Sequence, residues 1–193
     1  DIKKNDPLQE DLTITVDEID RLTKVVNQLL QFAKPGSEVK TSVRIGAVIH
    51  STLVVLNREA KQNKITTFCQ IPDDLPEIAA AEAALKEVFF NLLRNAIQAM
   101  PSGGEIHINA HYQPSSHAIQ ITVTDTGTGI AQGSFQKIFE PFYTTKQTGT
   151  GLGLSIVKKK LEDMEATIHA ESNGHGASFV INFPLPEPLL VQT

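Results

Sequence analysis

From residue 11 to residue 34 apolar side chains return at roughly heptad spacing, at Leu12, Ile19, Leu22, Val26, Leu29 and Ala33. Val25, Leu30 and Phe32 widen the stripe. This period predicts one amphipathic helix, stopped by Pro35-Gly36. A single helix cannot cover its own stripe, so it needs a partner helix from this chain or another. The alternative is that it packs on the domain that follows. Residues 37–42 read as a linker. Beyond it the pattern predicts a helix over 45–62, then a β-rich patch over 65–71, where Ile65, Thr67 and Cys69 alternate with Thr66 and Phe68. An extended piece over 77–79 leads into a strong helix over 82–100, closed by Pro101-Ser102-Gly103-Gly104. Strands are expected over 105–112 and 118–124, a helix over 152–164, and strands over 166–171 and 177–183 joined by the hairpin signal Asn173-Gly174. The Pro-rich end from Pro184 is expected to fray. Helices mixed with mostly hairpin-linked strands predict an α+β fold, with helices layered on one face of a mixed sheet.

Composition narrows the function classes. The 193 residues suit one full domain and a smaller appendage, and a 40% hydrophobic share is enough for a packed core. A formal net charge of -5 argues against a nucleic-acid partner, which would need a basic face. The single Cys69 cannot form an internal disulfide and fits a reducing, cytoplasmic compartment. The longest apolar run, residues 45–56, is broken by His50 and Ser51 and falls short of membrane length. The chain opens on Asp1, with no Met and no signal peptide, so a fragment of a longer protein is expected.

Three stretches carry candidate chemistry. On the helix over 82–100, Leu85, Val88, Phe89, Leu92, Leu93, Ala96 and Met100 form the core face, and Glu87, Asn91, Arg94, Asn95 and Gln98 fall opposite. Asn is a poor helix former, and two of them four apart point the same way. An ordinary wet face is the plain alternative, but such faces favour Glu, Lys and Arg. An Asn carbonyl is a hard oxygen donor suited to Mg²⁺ that shares phosphate oxygens. Next, Asp125 ends a strand and is followed by Gly127 and Gly129. This is either an Asx-type turn or a pocket in which backbone approaches a flat ring while the carboxylate accepts from an exocyclic amine. Such a pocket takes adenine and repels guanine. Last, Gly149-Thr150-Gly151-Leu152-Gly153-Leu154 enters a helix, where free amides and the helix dipole favour phosphate; the alternative is a plain flexible loop. Lys146 and the hydroxyls of Thr144, Thr145 and Thr148 precede it. Phe135, Phe139, Phe142 and Tyr143 either hinge a lid or fill core. A P-loop is excluded because Gly-Lys-Ser/Thr does not occur, and the spacing Gly127, Gly129, Gly133 misses the dinucleotide fingerprint by one residue. Glu105, His107 and His111 share a strand face and read as exposed polar surface rather than metal ligands.

Asn91–Ala99 (NLLRNAIQA), Asp125–Gly129 (DTGTG), Phe139–Lys146 (FEPFYTTK) and Gly149–Leu154 (GTGLGL) resemble, in order and separation, the N, first glycine, F and second glycine boxes of sensor histidine kinases. The F box is similar to that of nitrogen-regulation-type kinases. The helix over 11–34, with EIDRL and QFAKP, resembles the second helix of the family's dimerisation hairpin. The resemblance covers residues 11 to about 185. It implies a two-layer α/β sandwich of the Bergerat type, shared with gyrase, the Hsp90 chaperone and MutL, that binds ATP and Mg²⁺ under a lid over residues 131–150. It also implies a division into 1–36 (part of the dimerisation and phosphoacceptor region), 37–42 (linker), 43–186 (ATP-binding catalytic domain) and 187–193 (tail).

By the same resemblance Asn95 would hold Mg²⁺, and Asn91 would lie beside the phosphates. Asp125 would bind the adenine amine, with Gly127 and Gly129 shaping the base pocket. Lys146 would meet the terminal phosphates, with Thr145 beside it, and Gly149, Gly151, Leu152 and Gly153 would wrap them. Asn91 and Lys146 are thus the catalytic candidates. Related hydrolases carry a water-activating glutamate where this chain has Asn91, which suits phosphoryl transfer to a protein. Histidines 50, 107, 111, 117, 169 and 175 lie in no phosphoacceptor-type box, so the acceptor is expected upstream of Asp1. The implied partners are a response regulator, a phosphoacceptor hairpin of the same or a second kinase chain, and a second copy in a homodimer; inner-membrane anchoring of the whole protein is left open. The competing readings are a gyrase- or MutL-like ATPase and a non-enzymatic module whose nucleotide orders a partner-binding lid.

Overall fold

The structure is a computed structural model and describes residues 7–33, 39–146, 149–172 and 174–186. The breaker Pro35-Gly36, the hydroxyl of Thr148, Asn173 of the hairpin turn and the tail over 187–193 lie outside the described residues.

The first helix, α1, runs Pro7–Ala33, four residues earlier than the periodicity predicts. Proline is tolerated in a first helical turn, where its missing N–H has no helical partner to lose. Its stripe is uncovered: Leu12, Ile19, Leu22, Val26 and Leu30 are all more than half exposed. The domain that follows therefore does not bury this face, although α1 touches α4 (Gly153–Asp163).

The strand β1 (Thr41–Val43) pairs antiparallel with β3 (Ile78–Ala80), Val43 opposite Ile78. The linker expected over 37–42 thus ends inside a strand. Three residues with one buried side chain leave no alternation to read in the sequence.

The main sheet has the order β2-β4-β5-β7-β6, made of Ile65–Gln70, Gly104–Gln113, Ala118–Asp125, Ser178–Pro184 and Thr167–Glu171. The pair β2–β4 is parallel and the others antiparallel. The predicted mixed sheet is therefore observed. Along β4 the residues Ile106, Ile108 and Ala110 are buried, while His107, Asn109 and His111 lie on the opposite, wetter face. Strand side chains alternate faces, so one sheet face is core and the other is open. The core face is covered by α2 (Ile45–Gln62), α3 (Glu82–Gln98) and α4, packed side by side.

The centre of the sandwich is α3. Its Leu85, Val88, Phe89, Leu92 and Leu93 are at most 1% exposed, against Ile106, Ile108, Ile119 and Ile121 of the sheet. Each such burial is worth about 1.5–3 kcal/mol before chain entropy is subtracted. Because that face is committed to the core, Asn91, Asn95 and Gln98 must face away from it.

The Pro-rich end differs from expectation. The strand β7 runs through Pro184, Leu185 N donates to His117 O (2.9 Å), and a ring nitrogen of His117 lies 3.0 Å from Pro186 O. His117 closes the β4–β5 connection in a left-handed conformation (φ 47°) and holds the first residues of the tail there.

Candidate functional site

About two turns of one helix face supply the first wall. Asn91, Asn95 and Gln98 follow each other at helical spacing along α3. Asn91 Nδ2 donates to Glu87 O (2.9 Å), which turns its oxygen outward. A β-carbon on Gly153 would stand 3.3 Å from Asn91 Oδ1 and 3.9 Å from Asn95 Nδ2. The second glycine cluster therefore abuts the asparagine pair, as the sequence expectation requires.

The second wall is the end of β5. Asp125 is 4% exposed. Its Oδ1 accepts from Gly127 N (2.8 Å) and Ala177 N (3.3 Å). Burial raises the pKa of this carboxyl; the two amides and the charge of Lys146 oppose the rise. A carboxylate kept at such a depth beside two satisfied amides offers its second oxygen to a ligand donor. The floor beside it is tight, because a β-carbon on Gly127 would come within 2.7 Å of Ala99 O, at the end of α3.

The F-box loop closes the site. Lys146 Nζ donates to Asn95 Oδ1 (3.2 Å) and to Gln98 Oε1 (2.7 Å). Its charge is felt at Asp125. Partial withdrawal of its ammonium from water lowers the Lys146 pKa; the charge of Arg94 adds to this and Asp125 works against it. One side chain thus ties the F-box loop to α3 across 51 residues of chain. Phe139 is buried and packs edge-on against Phe179 (6.4 Å), and Tyr143 donates to Ser134 Oγ (3.0 Å). Within the expected lid, Phe139 is therefore a core anchor, whereas Phe142 is 61% exposed.

The G2-type turn is fitted to Phe142. Both residues sit in the left-handed region, Phe142 at φ 67° and Gly151 at φ 70°. A β-carbon on Gly151 would lie 2.4 Å from Phe142 C, so only glycine permits this backbone contact. Leu152 is fully buried and pins the start of α4. Among the described residues α4 has no side-chain cap and no acid in its first turn. Its first amides are therefore available to an anion.

Among the predicted residues, Gly153 abuts Asn91 and Asn95, Lys146 bonds to Asn95, and Gly127, bonded to Asp125, packs on Ala99 at the end of α3, while Gly151 packs on Phe142 and Leu152 is buried. Gly149 packs on the F-box loop itself, where a β-carbon would meet Thr144 Oγ1 and Lys146 Cβ. Thr145 is exposed, and no contact among the described residues ties it to the others. Gly129 lies to the side of Asp125, against Ser172 and Gly176. Three participants escaped the sequence reading. Gln98 falls on the Asn91–Asn95 face by helical spacing, but its residue type alone signals no ligand role. Ser172 and Gly176 build the wall behind Asp125: Ser172 Oγ donates to Gly176 O (2.6 Å), and Gly176 N donates to Gly127 O (2.9 Å). No residue type or spacing near them signals that contact.

The donor set fits an adenine nucleotide with a magnesium ion. It has a deep carboxylate beside a cramped backbone floor, a hard amide oxygen already facing a cation, a lysine, and an uncapped helix start. A pH dependence follows. The adenine amine needs the ionised form of Asp125, whose pKa is raised. Lowering the pH should therefore weaken nucleotide binding at a higher pH than an aspartate of ordinary pKa would. Dissociation constants measured as the pH is lowered from neutral test this, and a curve that changes only in the ordinary aspartate range counts against it. For stability the sign is opposite. The native state favours the protonated carboxyl, a contribution fully present below the unfolded-chain pKa and lost as pH rises through the folded value.

Comparison with known proteins agrees with this geometry. Residues 80–187 match the family described as histidine kinase-, DNA gyrase B-, and HSP90-like ATPase. The signal transduction histidine-protein kinase AtoS of Escherichia coli (strain K12) is 35% identical over 183 residues, 94% of this chain and 30% of AtoS. The chain therefore spans under a third of that relative. Full-length ShkA in complex with AMPPNP superposes with a TM-score of 0.79 at 25% identity, over 94% of this chain and 40% of ShkA. The histidine kinase ThkA in complex with the response regulator protein TrrA gives a TM-score of 0.78 at 26% identity, over 96% of this chain and 53% of that one.

Proposed function

The chain belongs to the histidine kinase-, DNA gyrase B- and HSP90-like ATPase family, and from that premise we propose that it is the ATP-binding catalytic part of a two-component sensor histidine kinase. The single observation that carries the site reading is that one helix, α3, meets all three stretches: Gly153 abuts Asn91 and Asn95, Lys146 Nζ donates to Asn95 and Gln98, and Gly127, bonded to Asp125, packs on Ala99 at the end of the helix. Asn95, Lys146 and Asp125 then face one ligand rather than three surfaces.

Each residue has a distinct task in this reading. Asp125 accepts the adenine amine at the oxygen its amide partners leave free, which discriminates against guanine. Gly127 and Gly129 keep the floor open to the ring. Asn95 offers its Oδ1 to Mg²⁺, which would supply charge neutralisation between phosphate oxygens. Lys146 holds the terminal phosphates, and the amides following Gly151 wrap them at the uncapped start of α4. Asn91 lies beside the phosphates through its outward oxygen. It is an amide and cannot take a proton from water, so the site positions a phosphoryl group for another acceptor rather than activating hydrolysis.

The acceptor is a histidine on a hairpin helix, from which the phosphoryl group passes to an aspartate of a response regulator. AtoS, matched over 94% of this chain, and ThkA, solved with the response regulator protein TrrA, support that assignment. The uncovered stripe of α1 supports a homodimer. Among the described residues no helix is long and apolar enough to cross a membrane, and we place the catalytic part in the cytoplasm. We place the boundaries at 1–36, 37–42 and 43–186, with β1 joining the last two.

The experiment is a transfer assay. Residues 1–193 are incubated with Mg²⁺ and γ-labelled ATP, alone and with a histidine-bearing hairpin from a related kinase. The expected result is no label on the chain itself and acid-labile label on the hairpin. Acid-labile phosphate on this chain would place the acceptor among its own six histidines. Steady ATP turnover abolished at Asn91 would instead favour the hydrolase reading.

A further inference from the structure

Gln98 has no role in the function proposed above, yet it makes the shorter of the two bonds to Lys146, 2.7 Å against 3.2 Å at Asn95. Both acceptors are amide oxygens on one face of α3, one turn apart. Together they form a seat for a single cation, and the ammonium of Lys146 fills it.

The same Asn95 oxygen is the one assigned to Mg²⁺. A lysine ammonium and a divalent cation compete for such an oxygen by chemistry and by charge. Two cations a few ångströms apart repel strongly at the effective dielectric of a protein surface. The seat therefore cannot hold Lys146 and the metal together. Lys146 must leave it before Mg²⁺-nucleotide is seated, and the arriving phosphates offer the ammonium a better partner.

We infer that Gln98 and Asn95 latch the F-box loop through Lys146 when nucleotide is absent, and that Mg²⁺-nucleotide binding transfers Lys146 from this seat to phosphate. Gln98 is then a positioning residue of the empty state. The inference rests on the nucleotide-site reading, because competition for the Asn95 oxygen is what makes the seated lysine and the bound metal exclusive.

The latch has a local readout. Lys146 N donates to Thr144 Oγ1 (3.1 Å) and Gly149 N donates to Lys146 O (3.2 Å). Those two amides report openings of the loop by hydrogen exchange. A neutral hydrogen bond is worth about 1 kcal/mol and one to a charged group somewhat more, so the change to read is about fivefold or larger.

The test uses residues 1–193 with Gln98→Met and Gln98→Glu. Gln98 is exposed, so both variants should fold. Without nucleotide, Gln98→Met should speed exchange at Lys146 and Gly149 about fivefold, and Gln98→Glu should slow it. With saturating Mg²⁺-ADP the wild type and Gln98→Met should exchange alike. Gln98→Met should also bind Mg²⁺-ADP about fivefold more tightly, because less of the empty protein is held in the latched form. Unchanged exchange in the empty Gln98→Met protein, or weaker ADP binding by it, overturns the latch. Failure of the wild type to bind Mg²⁺-ADP at all overturns the nucleotide site instead, and with it the transfer of Lys146.

Discussion

Asp125→Asn is expected to lower the affinity for ATP and ADP by about 10- to 100-fold while leaving the fold intact. The size follows from losing one hydrogen bond to a charged acceptor, worth about 1.5–3 kcal/mol in a buried setting. The fold survives because an Asn oxygen can still accept from Gly127 N and Ala177 N, the two bonds that hold Oδ1. What changes is the other position, where an NH₂ would confront the adenine amine donor to donor. Melting temperature should not fall, since burial raises the pKa of this carboxyl and its ionised form is a cost to the native state. Calorimetric titration with ADP, beside a thermal melt, reads both quantities. A dissociation constant within about threefold of the wild type would remove Asp125 from the base pocket. A large drop in melting temperature would make it a structural residue.

The second large effect is on stability. Gly176→Ala would drive a β-carbon to 1.9 Å from Asp125 O, at a backbone φ of 81°. Both faults are present together. The left-handed backbone disfavours any side chain, and the obstructing atom is backbone that cannot swing aside. Gly176 also donates to Gly127 O and accepts from Ser172, so displacing it disturbs the turn behind the base pocket. We expect a loss of about 2–4 kcal/mol, read as a melting temperature lowered by about 5–15 °C for a chain of this size. Gly133→Ala is the control. Its φ is 84°, and nothing lies within 4 Å of the added carbon. It should cost only the conformational penalty, about 1 kcal/mol. A Gly176→Ala protein that melts within about 2 °C of the control would contradict the close approach.

These two positions also divide what could be read early from what could not. Asp125 was legible as a candidate because a strand pattern ends on a charged residue before two glycines, although that pattern alone equally suits an Asx-type turn. The asparagine pair was legible because helical periodicity assigns faces without any knowledge of neighbours. Lys146 was legible only through its box. Nothing in its local sequence says that its ammonium reaches back to α3, because that reach depends on the path of the loop between.

The amino-acid sequence by itself determined the elements, the mixed sheet with one covered face, and which side of α3 would be left for a site. Local periodicity and the Pro- and Gly-containing breaks between elements set these, and they act over a few residues. Tertiary structure decided that Gly176 and Ser172 wall the turn after Asp125, that Gln98 shares Lys146 with Asn95, and that residues 41–43 form a strand. Each is a contact between segments distant along the chain, where the partner's position, not the residue's own preference, carries the information. It also decided that Phe139 belongs to the core and Phe142 to the surface. Two aromatic residues three apart look alike in sequence, and only packing against Phe179 tells them apart.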